Sequence, residues 1–90
     1  MRFEWDRLKD EENRTKHDVS FEEASTVFAD ALAATIPDPD HSQTEMRFLT
    51  MGLSSTGRLV VVSHTEEDDD LFRIISAREA TSHERKAYEG

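Results

Sequence analysis

Arginine and histidine recur in the second half of the chain at positions where neighbouring β-strands are predicted. Arg47, His64 and Arg73 each lie in a stretch of residues typical of a strand. If both connections between these strands are simple four-residue loops, His64 faces Arg47 on one side and Arg73 on the other. The next row on that face then contains Glu45 and Glu66. A slip of one residue in either pairing would remove the row, because it turns the side chains to the opposite face.

Such a row could act on a phosphodiester. Two guanidinium groups can neutralise the charge that develops around phosphorus during cleavage. A histidine between two cations would have a lowered pKa, so it could stay neutral and serve as a base. Cleavage of RNA by its own 2′-hydroxyl needs only positioning, charge stabilisation and proton transfer. This chemistry requires no metal and no cofactor.

A purely structural interpretation of the same residues stays open. Arg47 and Arg73 could form ordinary cross-strand ion pairs with Glu45, with Glu66 or with the acidic turn that follows it. The four histidines do not have the spacing of a metal site, and the chain has no Gly-rich phosphate loop; these histidines are His17, His41, His64 and His83.

The charge of the chain argues against general attraction to nucleic acid. The formal net charge is −9, and residues 1–45 hold 5 basic against 12 acidic residues. Residues 46–90 hold 6 basic and 8 acidic residues, and five of those acids form the run from Glu66 to Asp70. An anion-binding surface is therefore expected in the second half. The acidic first half could simply aid solubility, or it could receive a basic protein partner.

The length and the pattern of the chain predict one α+β domain over residues 1–90. We expect a small antiparallel sheet, consisting of a three-strand meander plus one or two N-terminal strands. Two N-terminal helices and a short C-terminal helix accompany it. The longest apolar run is far too short to span a membrane and no cysteine is present, so we expect a cytoplasmic protein without membrane contact.

Caps and turn residues set the limits of these elements. Asp6 is a predicted N-cap for a helix over 7–17, and Ser20 with Glu23 forms a predicted capping box for a second helix. Thr81 with Glu84 forms another, for a final helix that reaches Tyr88. The predicted strands cover residues 3–5, 32–36, 45–53, 58–66 and 71–77.

Short motifs along nearly the whole chain resemble the BrnT family of toxins. The N-terminal part of the resemblance consists of Phe3-x-Trp5-Asp6, Lys9, Asn13, Lys16-His17, Val19-Ser20-Phe21 and Glu23-Ala24. The central part consists of Arg47-Phe48, Gly52, Gly57-Arg58, Val60-Val61-Val62 and His64-Thr65. The most specific part is the run RIISAREATSHERKAY, from Arg73 to Tyr88.

This resemblance implies a RelE-like toxin fold and an endoribonuclease activity that arrests translation. It also implies neutralisation by a BrnA-type antitoxin, whose DNA-binding domain would bring the pair to its operator. Carried over by position, the candidate catalytic residues are Arg47, His64, Arg73 and Arg78, with Glu66 and Tyr88 as lesser candidates.

One position departs from the family pattern. Many members have an arginine two residues after the threonine of the His-Thr motif, whereas this chain has Glu67. Loss of a cation there would weaken phosphate binding. The alternative hypothesis is therefore an antitoxin-binding module with little or no catalytic activity, which acts only within a repressor complex.

Overall fold

The elements predicted from the sequence are present, with their ends shifted by a few residues. The structure is a computed structural model that describes residues 1–40 and 45–90, so His41 lies outside the described residues. The strands are β1 (Arg2–Glu4), β2 (Ala34–Pro37), β3 (Phe48–Leu53), β4 (Leu59–Glu66) and β5 (Leu71–Glu79). The helices are α1 (Arg7–His17), α2 (Phe21–Thr26) and α3 (Ser82–Glu89), and a short 3-10 turn (Val27–Ala29) follows α2.

The five strands form one mixed sheet in the order β1-β5-β4-β3-β2. Strands β2 to β5 pair antiparallel, which includes the predicted three-strand meander. The prediction of an all-antiparallel sheet is wrong at β1, which pairs parallel with β5. No hairpin joins these two strands, because two helices and three strands separate them along the chain. Turn geometry therefore does not set their relative direction.

Side-chain caps explain where the helices begin. The Asp6 carboxylate accepts from the amides of Leu8 and Lys9 at the start of α1. At α3 the predicted capping box is confirmed, because Thr81 and Glu84 bond each other's backbone amides. At α2 only half of the predicted box is observed: Ser20 accepts from the Glu23 amide at 3.0 Å, and the Glu23 carboxylate bonds elsewhere.

The core lies between the first two helices and one face of the sheet. We call that face of the sheet the helix face, and we call the opposite face the open face. Fully buried apolar side chains from the connection before α2, from α2 and from the 3-10 turn meet those of β4 and β5. The cluster consists of Val19, Phe21, Ala24, Val27, Val60, Val62, Ile74 and Ala77. Helix α3 lies over part of the open face, where Ala87 and His83 share an apolar groove with Met51 and Val61.

Asn13 fixes α1 against the sheet. Its side chain is 6% exposed and bonds both backbone groups of Ala77, with Nδ2 to the carbonyl at 2.8 Å and the amide to Oδ1 at 3.1 Å. Nδ2 also donates to the Val19 carbonyl. The amide thus replaces a strand partner at an edge of β5 that β1 does not reach, since β1 pairs only with residues 71–73.

A carboxylate–guanidinium pair ties α2 to the β3–β4 turn. Arg58 donates to Glu23 at 2.5 and 3.1 Å, and the hydroxyls of Ser54 and Thr56 also donate to Glu23. These donors hold the pKa of Glu23 at about 2, chiefly through Arg58, and the pair raises the pKa of Arg58.

Among the described residues, no helix combines the length and apolar character needed to cross a membrane.

Candidate functional site

The predicted row of Arg47, His64 and Arg73 is wrong, because both hairpins hold one more residue than expected. His64 pairs with Phe48 on one side and with Ile74 on the other. The β3–β4 turn has five residues rather than four, since Leu53 pairs with Leu59. A β-bulge between Ser63 and His64 shifts the β4–β5 register further.

His64 consequently lies in the core of the helix face and is fully buried. Its ring stacks on Phe72 with centroids 5.2 Å apart, and it also contacts the rings of Phe28 and Phe48. Nε2 bonds Thr50 Oγ1 at 2.7 Å, whereas Nδ1 has no hydrogen-bond partner among the described residues. Burial lowers the pKa of His64 to about 4, so the ring is neutral at pH 7. The pKa of His64 is lowered as expected, but burial causes the shift and neighbouring arginines do not.

The arginines lie on the open face. Arg73 pairs with Thr65 and Arg78 with Val61, and these two residues alternate along β4 with Val62 and His64 of the helix face. Arg47 immediately precedes β3, and its carbonyl accepts from the Asp38 amide at 2.8 Å.

Each of these guanidinium groups has a carboxylate partner. Arg73 bonds Glu4 at 2.7 Å and Arg47 bonds Glu45 at 3.1 Å. The structural interpretation is therefore correct for Arg47 with Glu45, while the partner of Arg73 was not foreseen. An anionic ligand must compete with these carboxylates for the arginines.

Arg47 and Arg78 line one cleft on the open face, which we call the arginine–serine cleft. Its volume is about 300 Å³, and its lining consists of Asp38, Asp40, Arg47, Leu49, Ser63, Ser76 and Arg78. Ser63 and Ser76 face each other across β4 and β5 and supply hydroxyl donors between the two guanidinium groups. Cations and hydroxyls around a concavity can bind a phosphate.

The sequence reasoning missed the two serines. A signal was present, because each serine ends a run of apolar β-branched residues, in VVVS and in RIIS. A small hydroxyl residue at that position of a strand indicates a polar patch on a face that is otherwise apolar.

Arg78 is the most firmly paired of the three arginines. Its Nη1 and Nη2 bond the two Glu84 oxygens at 2.8 and 3.0 Å, in a fork geometry. Because Glu84 also accepts from the Thr81 amide, the pair is attached to the start of α3. Arg78 holds the pKa of Glu84 at about 2, and the pKa of Arg78 is raised by the same bonds. Both groups stay charged at neutral pH.

The two lesser candidates lie away from the lining of this cleft. Glu66 is exposed at the end of β4, opposite Phe72. Tyr88 donates a short hydrogen bond to the Asp30 carboxylate, which raises the pKa of Tyr88. The structure thus brings Arg47 and Arg78 together with two serines, places Arg73 on the same face, and removes His64 from it.

Comparison with known proteins agrees with this architecture. The chain matches a model of the family described as ribonuclease toxin, BrnT, of type II toxin–antitoxin system, over residues 5–84. No curated protein matches the sequence. The fold is similar to the crystal structure of the ribonuclease toxin BrnT from Brucella abortus, with a TM-score of 0.70 and 20% identity. That alignment covers 91% of this chain and 99% of the Brucella chain. The chain therefore belongs to the BrnT family of ribonuclease toxins of type II toxin–antitoxin systems.

Proposed function

We propose that this chain is a metal-independent endoribonuclease that cleaves RNA on the open face of its sheet and thereby arrests translation. The observation that carries the proposal is the arginine–serine cleft, in which Arg47 and Arg78 flank Ser63 and Ser76. Arg73 extends the positive charge along the same face. RNA is a polyanion whose backbone phosphates suit such a surface, although the chain as a whole is acidic.

In this mechanism the RNA supplies its own nucleophile. The 2′-oxygen attacks the adjacent phosphorus and loses its proton to a base, while the bond to the 5′-oxygen of the next nucleotide breaks and that oxygen gains a proton. The guanidinium groups of Arg78 and Arg47 neutralise the charge that builds on the phosphoryl oxygens, and the serine hydroxyls orient them. Buried His64 cannot reach a scissile phosphate on the open face.

Within the lining of the cleft, the carboxylates of Asp38 and Asp40 are the groups that can accept the proton. Glu66 and Tyr88 stay predictions, because neither lines the cleft. Replacing each of these four residues in turn, with measurement of kcat against pH, assigns the base.

Expression without an antitoxin tests the proposal. We expect growth arrest with loss of RNA, and we expect Arg73→Ala or Arg78→Ala to reduce kcat of the purified protein about 100-fold. Both arginines lie at the surface, so these variants should remain folded. Arg14→Ala, an exposed arginine of α1, is the matched control. Normal growth, or full activity of both open-face variants, would refute the proposal.

One observation favours a second candidate function, an antitoxin-binding module with little catalytic activity. Thr65 donates to the Glu67 carboxylate at 3.1 Å, and Thr65 pairs with Arg73 across the sheet. A negative charge at this position opposes phosphate binding beside Arg73. If the second candidate is correct, Glu67→Arg should create activity that the natural chain lacks; if the chain is active, this change should alter its rate only modestly.

The proposed protein partner is a BrnA-type antitoxin with a DNA-binding domain. Membership of a type II toxin–antitoxin family implies an antitoxin. We expect the toxin to reach operator DNA only through that partner, because its own net charge is −9. Co-expression with the product of the neighbouring reading frame should yield a stable complex that binds the operator, whereas the toxin alone should not bind it.

A further inference from the structure

A second cleft lies between α1 and the edge of β5. Because Asn13 bonds both backbone groups of Ala77, α1 is held at one rotation and one height against this edge. Lys9, Lys16 and His17 stand four residues before, three after and four after Asn13, so they share its side of the helix. The resulting α1–β5 cleft has a volume of about 230 Å³ and is lined by Lys9, Glu12, Asn13, Lys16, His17, Ile75 and Ser76.

The cations of this cleft differ from the other basic residues of α1. Arg7 lies 3.9 Å from Glu11 and Arg14 lies 3.7 Å from Asp10, each one helical turn away. Lys9 and Lys16 are exposed and form no ion pair within the part of the chain that the structure describes. Glu12 is the one carboxylate in the cleft lining, so the two lysines leave a positive balance there.

Ser76 connects the two clefts. It lines the α1–β5 cleft with Lys9 and Lys16, and it lines the arginine–serine cleft with Arg47 and Arg78. The β-bulge lies beside it, since Ile75 is the residue left out of the ladder between the Ser63–Ser76 and His64–Ile74 pairs. The cations therefore follow one continuous path across β5, from Arg47 and Arg78 over Ser76 to α1.

We propose that the α1–β5 cleft is a second RNA-binding site, which holds backbone phosphates next to the one bound by Arg78. This inference rests on the proposed ribonuclease function. Lysine ammonium groups bind phosphate as flexible point charges, and here no internal carboxylate partner has to be displaced first. The RNA strand enters or leaves the arginine–serine cleft over Ser76, and the lysines give affinity without specifying bases.

Binding of 2′-O-methyl RNA, which cannot attack its own phosphate, tests this site. The variant is Lys9→Gln with Lys16→Gln, which removes both charges and keeps an unbranched side chain of good helix propensity at each position. The matched control is Arg7→Gln with Arg14→Gln, which removes the same charge from the same helix. For a decanucleotide, the logarithm of the binding constant falls with the logarithm of the salt concentration by about 0.7 for each single-strand phosphate contact. The lysine variant loses two such contacts, so we expect its slope to be shallower by about 1.4. The control should change it by less than half as much.

The length of the RNA gives an independent measurement. A dinucleotide fills the arginine–serine cleft alone, so its affinity should be the same for the lysine variant and the control. Equal losses for the two double variants with the decanucleotide would overturn the second site. Loss of antitoxin binding with unchanged RNA binding would also overturn it and assign the cleft to the protein partner. If Arg73→Ala and Arg78→Ala both retain full RNA cleavage, the proposed function itself fails, so the two failures are distinguishable.

Discussion

Replacement of the buried histidine separates a structural role from a catalytic one. In the folded protein the pKa of His64 is about 4, against 6.5 for an exposed histidine. Below pH 6.5 the unfolded chain binds a proton that the folded core excludes, so the free energy of unfolding falls as the pH falls. The loss is about 1.4 kcal/mol for each pH unit, and it reaches about 3 kcal/mol at pH 4, where the buried ring itself begins to protonate.

His64→Phe should abolish this loss. Urea denaturation of both proteins at pH 7 and pH 4.5 measures it, and the natural chain should lose about 2.5 kcal/mol more than the variant between these two pH values. Glu23 and Glu84 do not interfere, because a carboxylate with a lowered pKa loses its contribution only below its unfolded value of 4.5. His83→Gln, which removes an exposed histidine, should retain the natural pH dependence.

The same variant tests the chemistry. A phenylalanine at position 64 keeps the aromatic contacts with Phe28 and Phe72, and Thr50 Oγ1 retains its bond to Thr35 Oγ1 at 2.7 Å. We therefore expect RNA cleavage at pH 7 within a few fold of the natural rate. A fall in kcat of about 100-fold or more in a folded variant would refute this reasoning and restore His64 as a base.

Three further changes test the fold and the site. Glu23→Gln should lower the free energy of unfolding by about 3 kcal/mol at pH 7, since Arg58 loses its charged partner. The difference from the natural chain should shrink as the pH falls from 4.5 toward 2. A difference that stays constant with pH would contradict the stabilising role of the ionised Glu23 carboxylate. Gly57→Ala should cost about 1 kcal/mol in urea denaturation because its φ is +84° in open space, and an unchanged midpoint would show that the turn does not need a left-handed residue. Glu84→Gln keeps the cap on α3 but frees Arg78 from a carboxylate that competes with RNA. We therefore expect RNA to bind about tenfold more tightly, as measured by fluorescence anisotropy. Weaker binding would mean that Glu84 positions Arg78 for RNA instead.

Local sequence signals determined which elements form and where two of the helices begin. The caps at Asp6 and Thr81 act within one turn of the chain, so their partners can be identified without knowledge of the tertiary fold. The family resemblance was likewise contained in short motifs, and the family match confirmed it. Alternation along the strands also placed Arg47 and Arg73 on one face, whereas Arg78, five residues after Arg73, shares that face only because of the bulge at Ile75.

Tertiary structure decided which residues those arginines meet. One extra residue in each hairpin pairs His64 with Phe48 and Ile74 of the helix face instead of with Arg47 and Arg73, and a pattern with a period of two residues cannot exclude such a slip. The bulge and the edge of β5 left free by β1 also placed Ser76 between two clefts, with α1 held alongside by Asn13. These contacts join residues that are distant along the chain, such as Asn13 with Ala77 and Arg73 with Glu4, and only packing of the whole chain selects them. The sequence alone thus determined the family, the elements and the basic residues, whereas the fold decided which of them share a site.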